Sequence, residues 1–398
     1  MDKKTVQETL KTTFNENYKD QEWINLADFG LKLKANGLDY KSLGFLKLID
    51  LIKTHSDIIE HRYDNSHKLP IALIRLRSKP SETEKKKIIR SSPKSALTDW
   101  AYLGNYQTTI KKLKELALEE TWHYKDFNPE YPYPILVNYL HYTYYKLSQE
   151  KNKILFSDNF AAFNTGLVDK RYEPIFALFI KTEDFTQSWK LFDFCIAGEG
   201  PAGKNLIRYF EKKPSRAHYF DNISDMLYDT RASEPEMDIK HIILDNVSRL
   251  PKSFIYENKP SGFEIKNPEI LSYQERNEYL LKLSEAIEAD TKTYRNMTNR
   301  FKDALQLAIK RVEWNFKTAI PMYFPTQNKI TLLLPLALVD DEVVDIALVV
   351  EKTKSGNYLG HTILPLAWAY SNARLVARPD SDWLVASEIE VPIETDED

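Results

Sequence analysis

A basic segment with few apolar side chains divides the chain into two parts of unequal length. The segment SKPSETEKKKIIRSSPKSA, residues 78–96, combines prolines, serines and a run of lysines. A segment of this composition buries little apolar surface, so we predict a flexible linker over residues 79–96. The linker separates an N-terminal module, 1–78, from a large domain, 97–384, and an acidic tail follows at 385–398. At 398 residues the chain is also too long for one ordinary hydrophobic core.

Charge is unevenly distributed along the chain. Residues 1–95 hold 19 Lys and Arg against 13 Asp and Glu, whereas the last 19 residues hold no cation and 8 acids. A basic N-terminal module favours a polyanionic partner. The acidic C-terminus is most simply a solvated end; the alternative is that it mimics nucleic acid or restrains the basic module.

The sequence lacks the patterns of a membrane, secreted or metal-dependent protein. It has no run of about 18 apolar residues, and MDKKTVQETLK at its start lacks the apolar run of a signal peptide. The single cysteine, Cys195, excludes an internal disulfide and a cysteine-based zinc site. The eight histidines show no H-x-x-x-H or H-E-x-x-H spacing. We therefore expect a cytoplasmic protein with no membrane partner, metal or cofactor.

The N-terminal module has the pattern of a winged helix, three helices followed by a hairpin. Apolar spacing predicts helices in VQETLKTTFNEN, WINLADFGLKLKAN and SLGFLKLIDLIKTH, with Ser42 as the N-cap of the third. IIEHRYD and LPIALIRLRS then have the pattern of two short strands joined by a polar turn. The candidate RNA-binding residues of this module are Lys32, Lys34, Lys41, Lys47, Arg75 and Arg77.

The segment WINLADFGLKLKANGLDYKSLGFLKLIDLIKTHSDIIEHR resembles the LOTUS (OST-HTH) domain. The resemblance covers about a fifth of the chain. LOTUS domains are associated with RNA, including guanine-rich RNA, and some bind helicases. The resemblance therefore implies RNA as a partner and a helicase-type protein as a further one. The residues that carry it are Trp23, Leu26, Gly30, Leu33, Tyr40, Lys41, Ser42, Leu43 and Asp57.

The large domain mixes helical and strand patterns and has no internal repeat. Helical spacing is strongest around 105–120, 134–148, 203–212 and 274–317. Strand-like runs are KILFSD, PIFALFI, SWKLFDFCIA, KITLLLPLAL, VDIALVV and HTILPLA. We predict the α+β class for the whole chain, with a largely antiparallel C-terminal sheet in this domain.

The large domain resembles the family called domain of unknown function 3825. The motifs that carry the resemblance are FNTGL, YEPIFALF, PSRAHYF, LDNVSRLP, RVEWNFKTAIPMYF, LLLPL and DIALVVE, followed by the stretch from Tyr358 to Trp383. The resemblance implies a fold and a set of candidate residues. It implies no reaction.

Polar side chains interrupt an apolar stretch near the C-terminus. NYLGHTILPLAWAYSNARLVARP places Asn372, Arg374 and Arg378 beside many apolar residues. Arginine suits bidentate recognition of phosphate, so we predict a cationic pocket that also contains Arg249 and Arg311. The alternative is an internal ion-pair network. Its candidate acids are Glu351, Asp345 and Glu313.

Further candidates for substrate or phosphate contact come from short motifs, each with a structural alternative. Asn164 and Thr165 precede a glycine and could present donors or form a self-satisfied turn. Asn246 and Arg249 could bind a ligand, or the arginine could pair with Asp245 or Asp229. Arg311 and Asn315 share a predicted helix face and are further candidates. Lys317 is another, although it could simply offset a helix dipole. The last candidate is Thr362.

The segment GEGPAGKN, 198–205, fits two phosphate-loop patterns but fits neither fully. Asn205 cannot supply the hydroxyl that holds magnesium in a P-loop, and Pro201 removes one N–H. A glycine turn into a helix is the favoured interpretation. The tyrosine-rich segment 131–146 could stack bases, although its helical spacing favours core packing.

These features support three hypotheses for function. The first is an RNA-associated protein whose large domain binds a nucleotide or RNA 5′ end and hydrolyses a phosphoanhydride or phosphodiester bond, with His361, Tyr358 and Glu351 as candidates for proton transfer. The second is a non-catalytic RNA or nucleotide sensor that uses the same pocket. The third is a protein-interaction module.

Overall fold

The computed structural model of the chain describes residues 3–18, 23–43, 45, 47–55, 58–64, 71–76, 92–183, 186–325 and 327–391. The chain forms two compact units, Met1–Arg90 and Ser91–Asp398. Most of the predicted linker, along with Asp57 and Arg77, lies outside the described residues. None of the helices within these ranges is long and apolar enough to cross a membrane.

The N-terminal unit confirms the predicted winged-helix plan. The described part of this unit has the helices α1 (Lys3–Asn17), α2 (Leu26–Ala35) and α3 (Leu48–Thr54). Its three strands are β1 (Ile24–Asn25), β2 (Ile59–Asp64) and β3 (Ile71–Leu76), and β3 pairs antiparallel with both others. The core of this unit is aliphatic and aromatic, with Leu10, Phe29 and Ile74 fully buried.

The third helix starts later than its pattern predicts. Ser42 is not its N-cap, because α3 begins at Leu48 and the capping position is Lys47, without a side-chain cap. The Ser42 hydroxyl instead donates to the carbonyl of Asp39 at 2.7 Å. Serine hydroxyls compete for local backbone groups in this way and so favour turns.

In its described residues, the large unit forms two five-stranded sheets. The first has the strand order β4-β8-β7-β6-β5 and the second the order β10-β11-β12-β13-β9. Pairing is antiparallel except for two short parallel contacts, β4 with β8 and β13 with β9. The predicted α+β class and antiparallel C-terminal sheet are therefore confirmed. The strands are β4 (Ala101–Tyr102), β5 (Leu155–Phe156), β6 (Phe160–Val168), β7 (Pro174–Lys181), β8 (Trp189–Ile196), β9 (Glu236–Met237), β10 (Ile320–Phe324), β11 (Lys329–Leu336), β12 (Ile346–Lys352) and β13 (Tyr358–Pro365).

Helices cover both sheets and separate them. The helices are α4 (Ala96–Trp100), α5 (Tyr106–Leu116), α6 (Pro134–Gln149), α7 (Gly200–Tyr209), α8 (Lys252–Glu257), α9 (Tyr273–Ala289), α10 (Thr291–Trp314) and α11 (Leu366–Val376). One core joins α6 and α11 to the facing sides of both sheets, so these two helices lie between the sheets. A second core packs α9 and α10 on the far side of the second sheet, and a third packs α7 on the first.

The alternation of β12 explains why its sequence is continuously apolar. Ala347 and Val349 face the core around α6 and α11, whereas Ile346, Leu348 and Val350 face the core under α9 and α10. A strand that is buried on both faces needs apolar side chains at every position. This strand and its neighbour β13 hold several of the predicted site residues.

The predicted helical region 274–317 is two helices. They meet at Asp290, whose carboxylate accepts from the backbone N–H groups of Lys292 and Thr293 and caps α10. Hydrogen bonds from the backbone N–H groups of Ser261 and Thr293 lower the pKa of Asp290 to about 2. Aspartate is a strong N-cap, so it starts a new helix inside an otherwise continuous pattern.

Candidate nucleic-acid interface

Arg374 forms a buried ion pair with Glu120. Its Nε lies 2.6 Å from Oε1 of Glu120 and its Nη2 lies 2.8 Å from Oε2, a bidentate geometry. The two side chains are only 11% and 8% exposed. The guanidinium also lies 5.0 Å from the ring of Trp122 and 4.7 Å from that of Tyr139. Arg374 is therefore held by the protein itself and is not available to a ligand. The ion-pair alternative describes this residue, but the acid is Glu120 and not one of the predicted acids.

Arg378, one turn further along, borders a pocket of about 450 Å³. Its side chain is exposed and forms no ion pair with any residue that the structure describes. Lys114, half-buried in the last turn of α5, likewise forms no ion pair with any residue that the structure describes. We call this cavity the Arg378 pocket. It is lined by Lys114, Glu119, Glu120, Thr121, Trp122, His123, Phe127, Tyr133 and Arg378.

The aromatic wall of the Arg378 pocket is held by local contacts. Trp122 is buried, with its ring packed on Arg374 and 6.2 Å from Tyr139. The His123 ring meets Phe127 edge to face at 5.3 Å, and its Nδ1 lies 2.8 Å from the carbonyl oxygen of Tyr124. Nδ1 must carry a proton to donate to a carbonyl, so a neutral His123 has Nε2 as an acceptor. The pocket thus combines aromatic surface, two cations and hydrogen-bond acceptors.

Arg249, Asn246 and Thr362 meet as predicted, but they satisfy one another. Arg249 Nη1 donates to the Thr362 hydroxyl at 2.8 Å, and this hydroxyl lies 3.4 Å from Oδ1 of Asn246. The Arg249 guanidinium lies 5.5 Å from the Trp368 ring. The predicted ion-pair alternative is wrong, because Asp245 pairs with His241 and Asp229 pairs with Arg231.

Arg249 also lines a groove of about 720 Å³ between α8, α9 and the segment 388–391. Its lining mixes aliphatic residues such as Leu250 and Leu283 with both signs of charge, and its cations are Arg249, Lys252, Lys266 and Arg276. Arg311, Arg374 and Arg378 are not part of this lining. Arg374, Arg378, Arg249 and Arg311 therefore do not form the single cationic pocket that the sequence predicts.

The three candidates for proton transfer are only partly assembled. His361 Nε2 lies 2.8 Å from Oε2 of Glu351, whose Oε1 lies 3.0 Å from Nζ of Lys329. Partial burial opposes ionisation of Glu351, but hydrogen bonds from Lys329 and His361 lower its pKa. Tyr358 is fully buried, and its hydroxyl accepts from the backbone N–H of Asp229 at 2.8 Å. Tyr358 therefore stabilises the core, and His361 and Glu351 form a hydrogen-bonded pair at the surface.

The end of α10 separates residues that the sequence predicts to project together. The helix ends at Trp314, so Asn315 lies off the helix and its side chain caps the next turn by accepting from the Lys317 N–H. Arg311 donates to the backbone carbonyl of Asp341, and Lys317 pairs with Asp380 at 3.0 Å. The shared helix face of Arg311 and Asn315 is therefore a wrong prediction.

Asn164 and Thr165 lie within β6 rather than in a turn at its end. The Oδ1 of Asn164 accepts from the N–H of Gly166, and its Nδ2 donates to the carbonyl of Pro214. Thr165 is fully buried, and its hydroxyl donates to the carbonyl of Ile175. The self-satisfied alternative describes both residues, so neither offers a group to a ligand.

The glycines of GEGPAGKN form a turn into α7. The N–H of Gly198 donates to the carbonyl of Gly203, and the Glu199 N–H donates to that of Ile196. The exposed Glu199 carboxylate pairs with Arg171 at 2.7 Å. A Cβ on Gly203 would lie 2.0 Å from the oxygen of Ile196, which explains the glycine. The segment is therefore a glycine turn into a helix, the interpretation that its sequence favours.

The cations of the N-terminal unit are mostly available. Lys32, Lys34, Lys41 and Lys47 are exposed. Arg75 is half-buried, and its guanidinium lies 4.7 Å from the Trp23 ring. The four lysines can therefore contact a polyanion directly, whereas Arg75 packs on an aromatic ring.

Sequence reasoning missed most of the Arg378 pocket. Lys114, Trp122, His123 and Phe127 belong to no motif, and the run EETWHY between two helices was the available signal. Tyr133 falls in the tyrosine-rich segment 131–146, for which helical spacing favours core packing over base stacking. Asn372 is half-buried on α11, and its side chain makes no hydrogen bond to any described residue. The part of the chain that the structure describes contains no group of three metal-ligating side chains.

Comparison with known proteins identifies both parts of the chain. The family model described as domain of unknown function (DUF3825) matches residues 113–383. The model described as OST-HTH/LOTUS domain matches residues 1–71. No curated protein and no solved structure matches the chain.

Proposed function

Because the chain belongs to the DUF3825 family and begins with an OST-HTH/LOTUS domain, we propose that it is an RNA-binding protein whose large unit holds one nucleotide of the RNA. The OST-HTH/LOTUS match suggests an RNA or protein partner for the N-terminal unit. Exposed lysines at positions 32, 34, 41 and 47 favour RNA, because phosphate contacts dominate protein–RNA affinity.

The observation that carries the role of the large unit is the Arg378 pocket. Its volume of about 450 Å³ suits a nucleotide. His123 and Phe127 supply aromatic surface for a base, and Lys114 and Arg378 supply charge for a phosphate. Glu119 adds an acceptor for the amino group of a base. This combination is typical of sites that recognise single-stranded nucleotides by stacking and charge.

Binding without hydrolysis is the form of the function that we favour. Stabilising a phosphoryl transition state requires cations that converge on one point. Arg249, Arg311 and Arg374 have different protein partners. The His361–Glu351 pair resembles a base with its orienting carboxylate, and it makes hydrolysis the second candidate.

The experiment measures the affinity of the full chain for a 5′-phosphorylated, unstructured RNA at several salt concentrations. We expect Lys32, Lys34, Lys41 and Lys47, replaced together by alanine, to weaken binding about 100-fold. The slope of log K against log salt should fall by about 3, because about 0.7 counterions are released per phosphate contact on a single strand. Replacing Lys282, Lys292, Lys302 and Lys310 together, exposed lysines on α9 and α10, is the matched control.

Two outcomes would contradict this proposal. Failure of the parent chain to bind RNA would leave a protein partner, such as a helicase, as the ligand of the N-terminal unit. Release of nucleotide or phosphate from the bound RNA, abolished by His361→Ala, would replace the binding role by hydrolysis.

A further inference from the structure

Four cations on α7 and in the turn after it have no acidic partner among the residues that the structure describes. Lys204, Arg208, Lys212 and Lys213 are all exposed, and none forms an ion pair with a residue that the structure describes. Glu211 is the single acid between positions 204 and 213. An ordinary solvated face intersperses both signs of charge, so this local excess of positive charge calls for a polyanion.

Aromatic and aliphatic side chains lie among these cations. Tyr209 is 44% exposed, and its ring stacks on Phe160 with centroids 4.6 Å apart and planes at 27°. Phe192 packs edge-on against the same Phe160 ring at 6.4 Å. Ile207 is 54% exposed. Tyr209 is thus a platform fixed on one face by Phe160 and open to solvent elsewhere.

Neither the fold nor the glycine turn requires these side chains. The packing of α7 on the first sheet uses Ala202, Leu206 and the close approach of Gly203 to Ile196. Phe210 completes this contact. The cations lie outside it, so their residue types are not explained by packing; Tyr209 covers Phe160 of this core with one face of its ring.

We infer that the α7 surface, which comprises Lys204, Ile207, Arg208, Tyr209, Lys212 and Lys213, binds single-stranded RNA. The cations contact phosphates, and a base stacks on Tyr209. RNA fits better than an acidic peptide because a fixed aromatic ring among separated cations matches the alternation of base and phosphate. RNA also fits better than an anionic membrane, because this surface has few apolar side chains to insert into lipid and the Tyr209 ring is already stacked on Phe160. The inference rests on the proposed function and adds a second contact on the large unit.

The test replaces the four cations with glutamine in the full chain. We expect about 100-fold weaker binding of an unstructured RNA of about thirty nucleotides, and a slope of log K against log salt that falls by about 3. Tyr209→Ala should weaken binding about tenfold and leave that slope unchanged, since stacking releases no counterion. The control variant carries glutamine at Lys282, Lys292, Lys302 and Lys310 on α9 and α10 and should stay within about twofold of the parent.

The outcomes separate this inference from the proposed function. If the parent binds RNA and the α7 variant matches the control, the α7 surface is not a contact and the proposed function stands. If the parent binds no RNA, both fail. One further outcome would assign the surface to a membrane. The parent would bind vesicles of phosphatidylserine and phosphatidylcholine, and the α7 variant would lose this binding while its RNA affinity stayed unchanged. A variant whose thermal unfolding midpoint equals that of the parent has an intact fold.

Discussion

Arg374→Ala should lower the free energy of unfolding of the large unit by about 3–5 kcal/mol, because it leaves the Glu120 carboxylate buried without a partner. The substitution also removes the guanidinium from the rings of Trp122 and Tyr139. Urea denaturation followed by tryptophan fluorescence measures the change. Of the seven tryptophans only Trp23 lies in the N-terminal unit, so the signal reports chiefly on the large one.

Two matched variants separate the ion pair from simple loss of a cation. Arg378→Ala removes an exposed arginine on the same segment and should change stability by less than about 0.5 kcal/mol. Replacing the pair together, Glu120→Gln with Arg374→Met, should recover most of the loss, since no unpaired charge stays buried. A change below about 1 kcal/mol for Arg374→Ala would mean that Glu120 is solvated after all.

The second large effect concerns the Arg378 pocket. Lys114→Ala combined with Arg378→Ala should weaken the affinity for 5′-phosphorylated RNA about 100-fold, because two charge-assisted hydrogen bonds of about 1.5 kcal/mol each are lost. Phe127→Ala, at an exposed ring of the same pocket, should cost about tenfold through lost stacking. Fluorescence anisotropy of end-labelled RNA with the full chain measures both.

The control for the pocket is Lys282→Ala combined with Arg295→Ala, exposed cations on α9 and α10. This pair should leave the affinity within about twofold of the parent. The same RNA without a 5′ phosphate shows whether the pocket recognises an end or an internal nucleotide. Equal weakening by the pocket and control variants would show that the Arg378 pocket has no specific role.

The sequence was most informative where structure depends on local periodicity. The spacing of Val6, Leu10 and Phe14 and the paired strands around the polar turn were enough for the winged helix. The antiparallel C-terminal sheet followed from apolar runs, whereas the presence of a second five-stranded sheet was not predicted. The predicted helix boundaries were wrong where a single polar side chain decides them. Asp290, for example, starts a new helix inside a continuous helical pattern.

The candidate site could be predicted only in part, because its contacts join distant parts of the chain. The sequence indicated that Arg374 needs a partner, but Glu120 lies 254 positions away and no spacing rule connects them. Asn315 would share a face with Arg311 if the helix continued by one more residue. Trp122 and His123 carry no motif, and they matter only because Arg374 and Arg378 are folded against them.

Photo-crosslinking of the full chain to 5′-phosphorylated RNA that carries 4-thiouridine near its 5′ end tests the central claim most directly. We expect crosslinked peptides from residues 113–133, which include Trp122, His123 and Phe127, together with peptides from the segment that holds Lys32 to Lys47. Crosslinks in the first region should disappear in the Lys114→Ala, Arg378→Ala variant. Crosslinks confined to the N-terminal unit would contradict the claim that the large unit holds a nucleotide of the RNA.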